Sequence, residues 1–403
     1  MMVKIGVLGA YRGSDFAKAA LDFTDAAVTA ICERDTKRIE WFKDLKFGEY
    51  TYFTDFDKML QSDIDAVILC NYFCEHAPFA IKALKAGKHV LSETLSNITM
   101  AEGVALKRAV KESGKIYMIG ENYPYMCALL EMKKEYEKGL YGKVLYADGE
   151  YNHPMDAREF DELSPGKYHW RSWLPSTYYV THSIGPLMYV TQTMPKTVNA
   201  LSVFSPEQNK DKMRYAADAT AAILCQMDNG ALFRVTGWST FYEHSIWYRL
   251  GCELGGMETV RGDKESLHIS SAQGVKTYKP TWEDLGDFAK KAAHGGGDFW
   301  TLYYFVQSIK SGEQPFFNVD KAVTMSSVAI LGWRSALEKG IQYEIPDFNR
   351  EEDCIQYEND TLNPFPDKDG NVSIPCCIKT DYKPTKEAEE FAKKVWNEKG
   401  FQI

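Results

Sequence analysis

No stretch of about 18 consecutive apolar residues occurs in this 403-residue chain, so no membrane-spanning helix is expected. Its nine cysteines never fall in a C-x-x-C pair, their number is odd, and Cys376-Cys377 are adjacent. That usage suits neither a disulfide framework nor a zinc site and fits reduced thiols in a cytoplasmic protein. The histidines lack H-E-x-x-H or any similar ligand spacing, so no metal is expected. There is no Lys/Arg-rich block, and a net charge of -9 argues against nucleic acid or an anionic membrane as partner. Nor does the start, MMVKIGVLGA, show a charged segment, an apolar run and a cleavage site; it runs straight into a strand pattern. Repeats and low-complexity tracts are missing too. What remains is an ordinary globular composition, 45% hydrophobic and 26% charged, on a chain long enough for two separate cores.

Over the first 120 or so residues, short apolar runs alternate with amphipathic ones. Val3–Leu8, Ala27–Cys32, Ala66–Cys70, His89–Leu91 and Ile116–Ile119 read as strands. Helices are expected from about Ser14, over His76–Ala86, and over Thr99–Ser113, where Thr99 and Glu102 form a capping box. This order means βαβ units and a parallel sheet buried on both faces. After Glu121 the rhythm changes. A helix near Ala128–Lys138 leads to the strand Val144–Tyr151, an irregular aromatic loop to Tyr178, and a helix beginning near His182. Asp228-Asn229-Gly230 marks a hairpin, and another strand pair surrounds Gly255-Gly256. The expected fold class is therefore α/β: a Rossmann-type parallel-sheet domain over 1–121, then an α+β domain with a largely antiparallel open sheet over 122–348. Residues 349–403 read as a wrapping extension with a last helix over Thr385–Asn397.

The first turn, G-V-L-G-A-Y-R-G, contains Gly6, Gly9 and Gly13 but misses the G-x-G-x-x-G spacing, because Tyr11 sits where the second glycine belongs. Strand, glycine turn and helix N-terminus survive, and suit an anion. Glu33 ends the second strand, where a carboxylate can accept from both ribose hydroxyls and would repel a 2′-phosphate. NAD is favoured over NADP on that ground, with Arg34 beside it as the opposing sign.

The segment "SETLSN" at 92–97 lacks something more specific. Together with "HAPFAIKALKAGKHVLSE" at 76–93 it resembles the Gfo/Idh/MocA oxidoreductases over roughly residues 3 to 348. In that family the glutamate matching Glu93 is followed by a lysine and a proline, and the lysine helps move a substrate proton; here Thr94 and Leu95 follow. Four further patterns are similar to the NAD-dependent glycoside hydrolases of family 109, which also lack the lysine: "GENYPY" at 120–125, "GEYNHP" at 149–154, "YYVTHSIGP" at 178–186 and "HGGGD" at 294–298. The resemblance implies NAD as cofactor, held by Gly9, Tyr11, Arg12, Gly13, Glu33, Arg34, His76, Glu93, Thr94 and Asn122. It implies a sugar or glycoside substrate and a homo-oligomer, a dimer or higher. Glu121, Tyr151, His153, Tyr179 and His182 carry over from the matching motifs.

Those residue types suit proton transfer at adjacent carbons. His182 is the expected base for a sugar C3 hydroxyl, and Tyr151 for the C2 proton that a C3 ketone acidifies, with His153 on the same strand face. Tyr179 completes the catalytic set. Trp170 and Arg171, within His169–Trp173, offer a sugar-packing surface, and Glu121, His294 and Asp298 are further substrate contacts. Elimination at C1, water addition and re-reduction would make a redox-neutral glycosidase. A C3 dehydrogenase and a non-catalytic NAD or sugar sensor are the alternatives. Each residue also has a plainer reading: Tyr151 and His153 as a core-edge pair, His182 bound to backbone at a helix start, Glu93 and Glu121 closing local turns, and Asp298 as a helix cap.

Overall fold

The computed structural model describes residues 2–21, 23–237 and 243–401. They form two compact units: Met1–Glu137 with Tyr278–Val323 and Asp347–Asn359, and Lys138–Thr277 with Thr324–Pro346 and Asp360–Ile403.

The first unit holds a six-stranded sheet of β1 (Val3–Leu8), β2 (Ala26–Cys32), β3 (Thr51–Phe53), β4 (Ala66–Leu69), β5 (His89–Ser92) and β6 (Tyr117–Ile119). Their order is β3-β2-β1-β4-β5-β6, and every neighbouring pair is parallel. Ile5, Val7 and all four residues of β4 are fully buried, as strands covered on both faces must be. The short β3 carries only one apolar alternation and was not expected from the sequence. The capping box of the Met100–Ser113 helix is present, with the Glu102 N–H donating to Thr99 Oγ1 at 3.1 Å and the Thr99 N–H to Glu102 Oε2 at 3.3 Å.

The first helix runs over Ala10–Ala19, a turn earlier than expected, because Gly9 at φ 95° serves as its N-cap. A Cβ on Gly9 would lie 2.4 Å from the Cys70 carbonyl oxygen, and one on Gly13 would lie 2.3 Å from Val7 Cγ1. Gly9 thus lets the ends of β1 and β4 converge, and Gly13 lets the helix settle on β1. The two jobs of a dinucleotide-binding glycine turn are done, although the spacing is irregular.

This unit reaches past the expected boundary at residue 121 for a physical reason. The Ile119 N–H donates to the Phe317 carbonyl at 3.0 Å, and Gln314 Nε2 donates to the Lys115 carbonyl at 3.1 Å. The expected extension is divided as well. The Glu351–Tyr357 helix stays with the first unit, where Arg108 binds Glu351 and Glu358, each at 2.8 Å.

The second unit is built on a nine-stranded sheet: β7 (Val144–Asn152), β8 (Pro195–Phe204), β9 (Asp218–Met227), β10 (Leu232–Thr236), β11 (Ser245–Cys252), β12 (Gly255–Val260), β13 (Asp263–Ser271), β14 (Gly274–Tyr278) and β15 (Tyr343–Glu344). The order is β14-β13-β12-β11-β7-β10-β9-β8-β15. Only the central β7–β10 pair is parallel among those with a described register. Gly230, at φ 85°, turns β9 into β10 as the Asn-Gly signal predicts. One face is covered by the Thr181–Thr191 helix, nearly all of it buried. The approach is close enough to demand glycine: a Cβ on Gly149 would lie 2.1 Å from the Ser183 carbonyl oxygen, and in the turn before the helix one on Gly237 would lie 1.8 Å from that of Ser176.

The stretch from 155 to 177, expected to be irregular, folds locally. Asp156 caps the Ala157–Leu163 helix by accepting the Glu159 N–H at 2.8 Å. The C-terminal helix Lys386–Glu398 is pinned by Trp396 Nε1 donating to the Asp161 carbonyl at 2.8 Å. A bidentate Arg334–Asp360 pair at 2.6 and 2.7 Å fixes the segment before it. No described helix is long and apolar enough to cross a membrane.

The crossing at Gly149 makes a direct prediction. Gly149→Ala will lower unfolding stability by about 3 kcal/mol, because backbone must move to admit one methyl group. Gly332→Ala, whose Cβ would meet nothing nearer than 3.5 Å, will be neutral or stabilising by up to about 1 kcal/mol. Urea unfolding of both variants checks the contrast.

Candidate active-site residues

At the turn after β1, the fit to a dinucleotide rests on two observations: the Gly9 cradle and Glu33 at the end of β2. Glu33 Oε2 accepts the Ala10 N–H at 3.0 Å and Oε1 accepts the Asp35 N–H at 3.1 Å, so the carboxylate is aimed across the helix start. Two acceptor bonds leave a carboxylate room for ribose hydroxyls. Tyr11 is 58% exposed beside Trp41, with Arg38 over its ring at 5.8 Å. Arg34 lies over Tyr72 at 5.4 Å and pairs with Glu75 at 3.6 Å.

Deeper in the same unit, one guanidinium gathers three carboxylates. Arg12 Nε donates to Glu93 Oε1 at 2.7 Å, Nη1 to Asp15 at 2.8 Å, and Nη1 and Nη2 grip Asp298 at 2.7 and 2.8 Å. Asp298 also accepts from Asn122 Nδ2 at 2.7 Å and lies 2.9 Å from His294 Nδ1. Expected as a substrate contact or a helix cap, Asp298 is instead a fully buried anchor, for four bonds to three side chains occupy it and Gly296 takes the cap position. Burial alone would raise its carboxyl pKa, but Arg12 and His294 hold it far below the usual range. Burial opposes a charge on His294, and the Asp298 bond and charge overcome this and raise its pKa.

The lysine missing after Glu93 is thus answered electrostatically from another element: Arg12, on the first helix, puts a cation on the same carboxylate. Thr94 itself offers no charge. His76 is buried, with Nδ1 2.7 Å from the Leu95 carbonyl oxygen and Nε2 3.3 Å from that of Asn71, so its ring ties the turn after β4 to the segment after β5. Burial lowers its pKa, leaving it uncharged at neutral pH. Glu121, also fully buried, accepts the Tyr123 N–H at 3.3 Å.

In the second unit, β7 alternates Ala147, Gly149, Tyr151 and then His153 toward the covered face, and five rings meet there. Tyr151 and Tyr179 are parallel within 2° at 5.8 Å. His182 sits 4.8 Å from Tyr151 and 5.6 Å from Tyr179. His153 lies 5.9 Å from Tyr151 and 4.9 Å from His244. The His182 carbonyl accepts from Tyr248 Oη at 2.5 Å, which fixes the start of the helix. Arg171 Nη1 donates to Tyr179 Oη at 3.3 Å while its guanidinium covers Trp170 at 4.5 Å. The imidazole of His153 is pushed down to about 4, first by burial, then by His244 and Arg171.

His244 was not expected. It stands just beyond the ladder in which Ser245 pairs with Asn152 and Ile246 with Tyr151, so register alone brings it opposite His153. A single sequence does not show which strand neighbours β7, and no motif surrounds this histidine.

Residues 3–121 match the family model described as oxidoreductase family, NAD-binding Rossmann fold. Residues 262–353 match that described as glycosyl hydrolase 109, C-terminal domain. A glycosyl hydrolase family 109 protein of Stenotrophomonas maltophilia is 22% identical, over 86% of this chain and 89% of its own. One from Shewanella pealeana is 23% identical over 86% of each. Among solved structures, levoglucosan dehydrogenase with NADH superposes with a TM-score of 0.75 at 19% identity, covering 86% of this chain and all of the other. An oxidoreductase domain protein from Kribbella flavida gives 0.73 at 21%, with the same coverage.

The His294–Asp298 pair predicts a pH dependence with a definite sign. A histidine whose pKa rises on folding stabilises fully below its unfolded value of about 6.5, and that contribution is lost as pH rises through the higher folded value. Thermal unfolding of the protein and of His294→Gln should differ most near pH 5 to 6, roughly, and converge in mild alkali.

Proposed function

From a chain that joins an NAD-binding Rossmann domain of the oxidoreductase family to a glycosyl hydrolase 109 C-terminal domain, we propose a redox-neutral glycosidase. The observation that carries this reading is the Tyr151–His182 pair, two proton-handling groups with ring centres 4.8 Å apart. Chemistry at two adjacent sugar carbons needs two such groups. Gly9, Gly13 and Glu33 are the residues that would hold the NAD, with Tyr11 and Arg34 flanking them. When bound, NAD supplies a hydride acceptor for C3 and the hydride that later returns there.

The protein's own groups then divide the proton work. His182 takes the C3 hydroxyl proton. Tyr151 takes the C2 proton once C3 is a ketone and stabilises its loss with His153 as a second acceptor, uncharged near neutrality because its pKa lies near 4. Tyr179, held by Arg171, aligns against Tyr151. The C1 substituent leaves with a proton, water adds at C1 as Tyr151 gives a proton back to C2, and His182 returns its proton to the C3 oxygen, which completes the hydrolysis. His294, Glu121 and Trp170 are proposed substrate contacts, and His76, Thr94, Glu93, Asn122 and Arg12 are proposed to shape the cofactor side, Arg12 by holding Glu93.

A homo-oligomer fits the sheet face opposite the helix. Leu145, Leu201, Val203, Leu224 and Leu232 stand 56, 59, 58, 40 and 42% exposed there, an apolar face of the kind that a second copy covers. Nine free cysteines support a reducing, cytoplasmic setting.

Proton NMR in deuterated buffer with a panel of aryl glycosides tests the reading. Hydrolysis with deuterium at C2 of the released sugar is expected, and Tyr151→Phe should cut kcat by about 100-fold or more with NAD affinity unchanged. A ketosugar formed with equal NADH would replace the glycosidase by a C3 dehydrogenase. NAD binding without turnover on any glycoside would leave a sensor.

A further inference from the structure

Arg171 is not neutralised. Arg12, Arg108, Arg158, Arg234, Arg261 and Arg334 each hold a carboxylate within ion-pair distance. Among the described residues Arg171 has none: its side chain meets the Tyr179 hydroxyl at 3.3 Å and the face of Trp170, and its Nε is buried with no hydrogen-bond partner. Glu159, a carboxylate that feels its charge, is exposed and forms no ion pair with it. Arg334 also carries a buried Nε without a partner, but its Nη groups are satisfied by Asp360; Arg171 lacks any such carboxylate, and its charge is open to an acceptor from outside. The neighbours sharpen this. Around Arg171 stand His153, His244, His182, Tyr151 and Tyr179, which are donors or neutral acceptors at most, with no acid among them. The ring cluster therefore carries excess positive charge that the proton chemistry at C2 and C3 does not use.

We propose that Arg171 receives an anionic substituent of the sugar, its guanidinium donating to the oxygens of a carboxylate, sulfate or phosphate while Trp170 holds the guanidinium plane. The inference rests on the reading of the protein as a sugar enzyme and specifies the class of sugar: an acidic one. A planar, two-pronged donor matches such oxygens better than a point charge, so lysine is a partial substitute and methionine, which keeps the bulk over Trp170, is none.

The test uses the NAD-loaded full chain and matched aryl glycosides of both anomers: glucoside against glucuronide, galactoside against galacturonide, and each neutral sugar against its primary sulfate and phosphate esters. The acidic member of the active pair should have a kcat/KM about tenfold or more above its neutral partner. Which ester or acid leads identifies the anion. In Arg171→Met the acidic sugar should lose far more than the neutral one, through KM, beyond whatever loss both share from releasing Tyr179, and Arg171→Lys should keep part of the preference. Equal or better turnover of the neutral sugars, or a loss in Arg171→Met that is the same for both members, overturns the proposal. If no glycoside is turned over, the glycosidase reading fails separately, and calorimetry with glucuronate and galacturonate against glucose and galactose decides. Salt-sensitive binding of the acids that disappears in Arg171→Met would uphold the site, and no discrimination would overturn it.

Discussion

The Arg12 guanidinium, largely withdrawn from water, is met by three carboxylates. That cluster organises the first unit. Arg12 sits on the helix opened by Gly9, Glu93 directly follows β5, and Asp298 belongs to the Gly297–Ser311 helix, nearly three hundred residues away in sequence. Removing one partner from such a cluster strands the others, which makes the group act as a whole. The same bonds decide what each residue is available for. Asp298 is spent on Arg12, Asn122 and His294, and Glu93 keeps a cation although the residue after it is threonine.

The second unit obeys a steric constraint rather than an electrostatic one. The Thr181–Thr191 helix lies so near the sheet that Gly149 leaves no room for a side chain, and the turn before it crowds Gly237 in the same way. This closeness brings His182 to Tyr151, two residues along β7 from Gly149. Tyr248 fixes the helix start through the His182 carbonyl, leaving the imidazole as the part that faces the rings. Packing and the proposed proton chemistry therefore depend on the same crossing.

Much of this was legible in the residues. Buried strands, the capping box at Thr99 and the Asn-Gly turn are local, so their signals survive in one sequence. Tyr151 and His153 alternate on one strand, and period two alone places them on one face. The relation of Arg12 to Asp298, the pairing of β11 with β7 that delivers His244, and the split of residues 349–403 between two units all depend on long-range contacts. No local pattern encodes those. The helix Ala157–Leu163 was hidden for a different reason: its stability comes from Asp156 and from the docked Trp396 helix more than from its own short apolar face. Tyr11 in place of a glycine looked like a weakened turn, and the structure shows why it is tolerated: the close approaches fall at Gly9 and Gly13, while Tyr11 points outward.

The account turns on whether the chemistry without the lysine returns its hydride. The direct measurement is the ratio of aglycone released to NADH formed, followed by absorbance, with protein carrying its bound NAD and no added cofactor. Many equivalents of aglycone per bound NAD, with no lasting NADH, is the predicted result. One NADH for each product, with turnover stopping once the bound NAD is consumed, would contradict it.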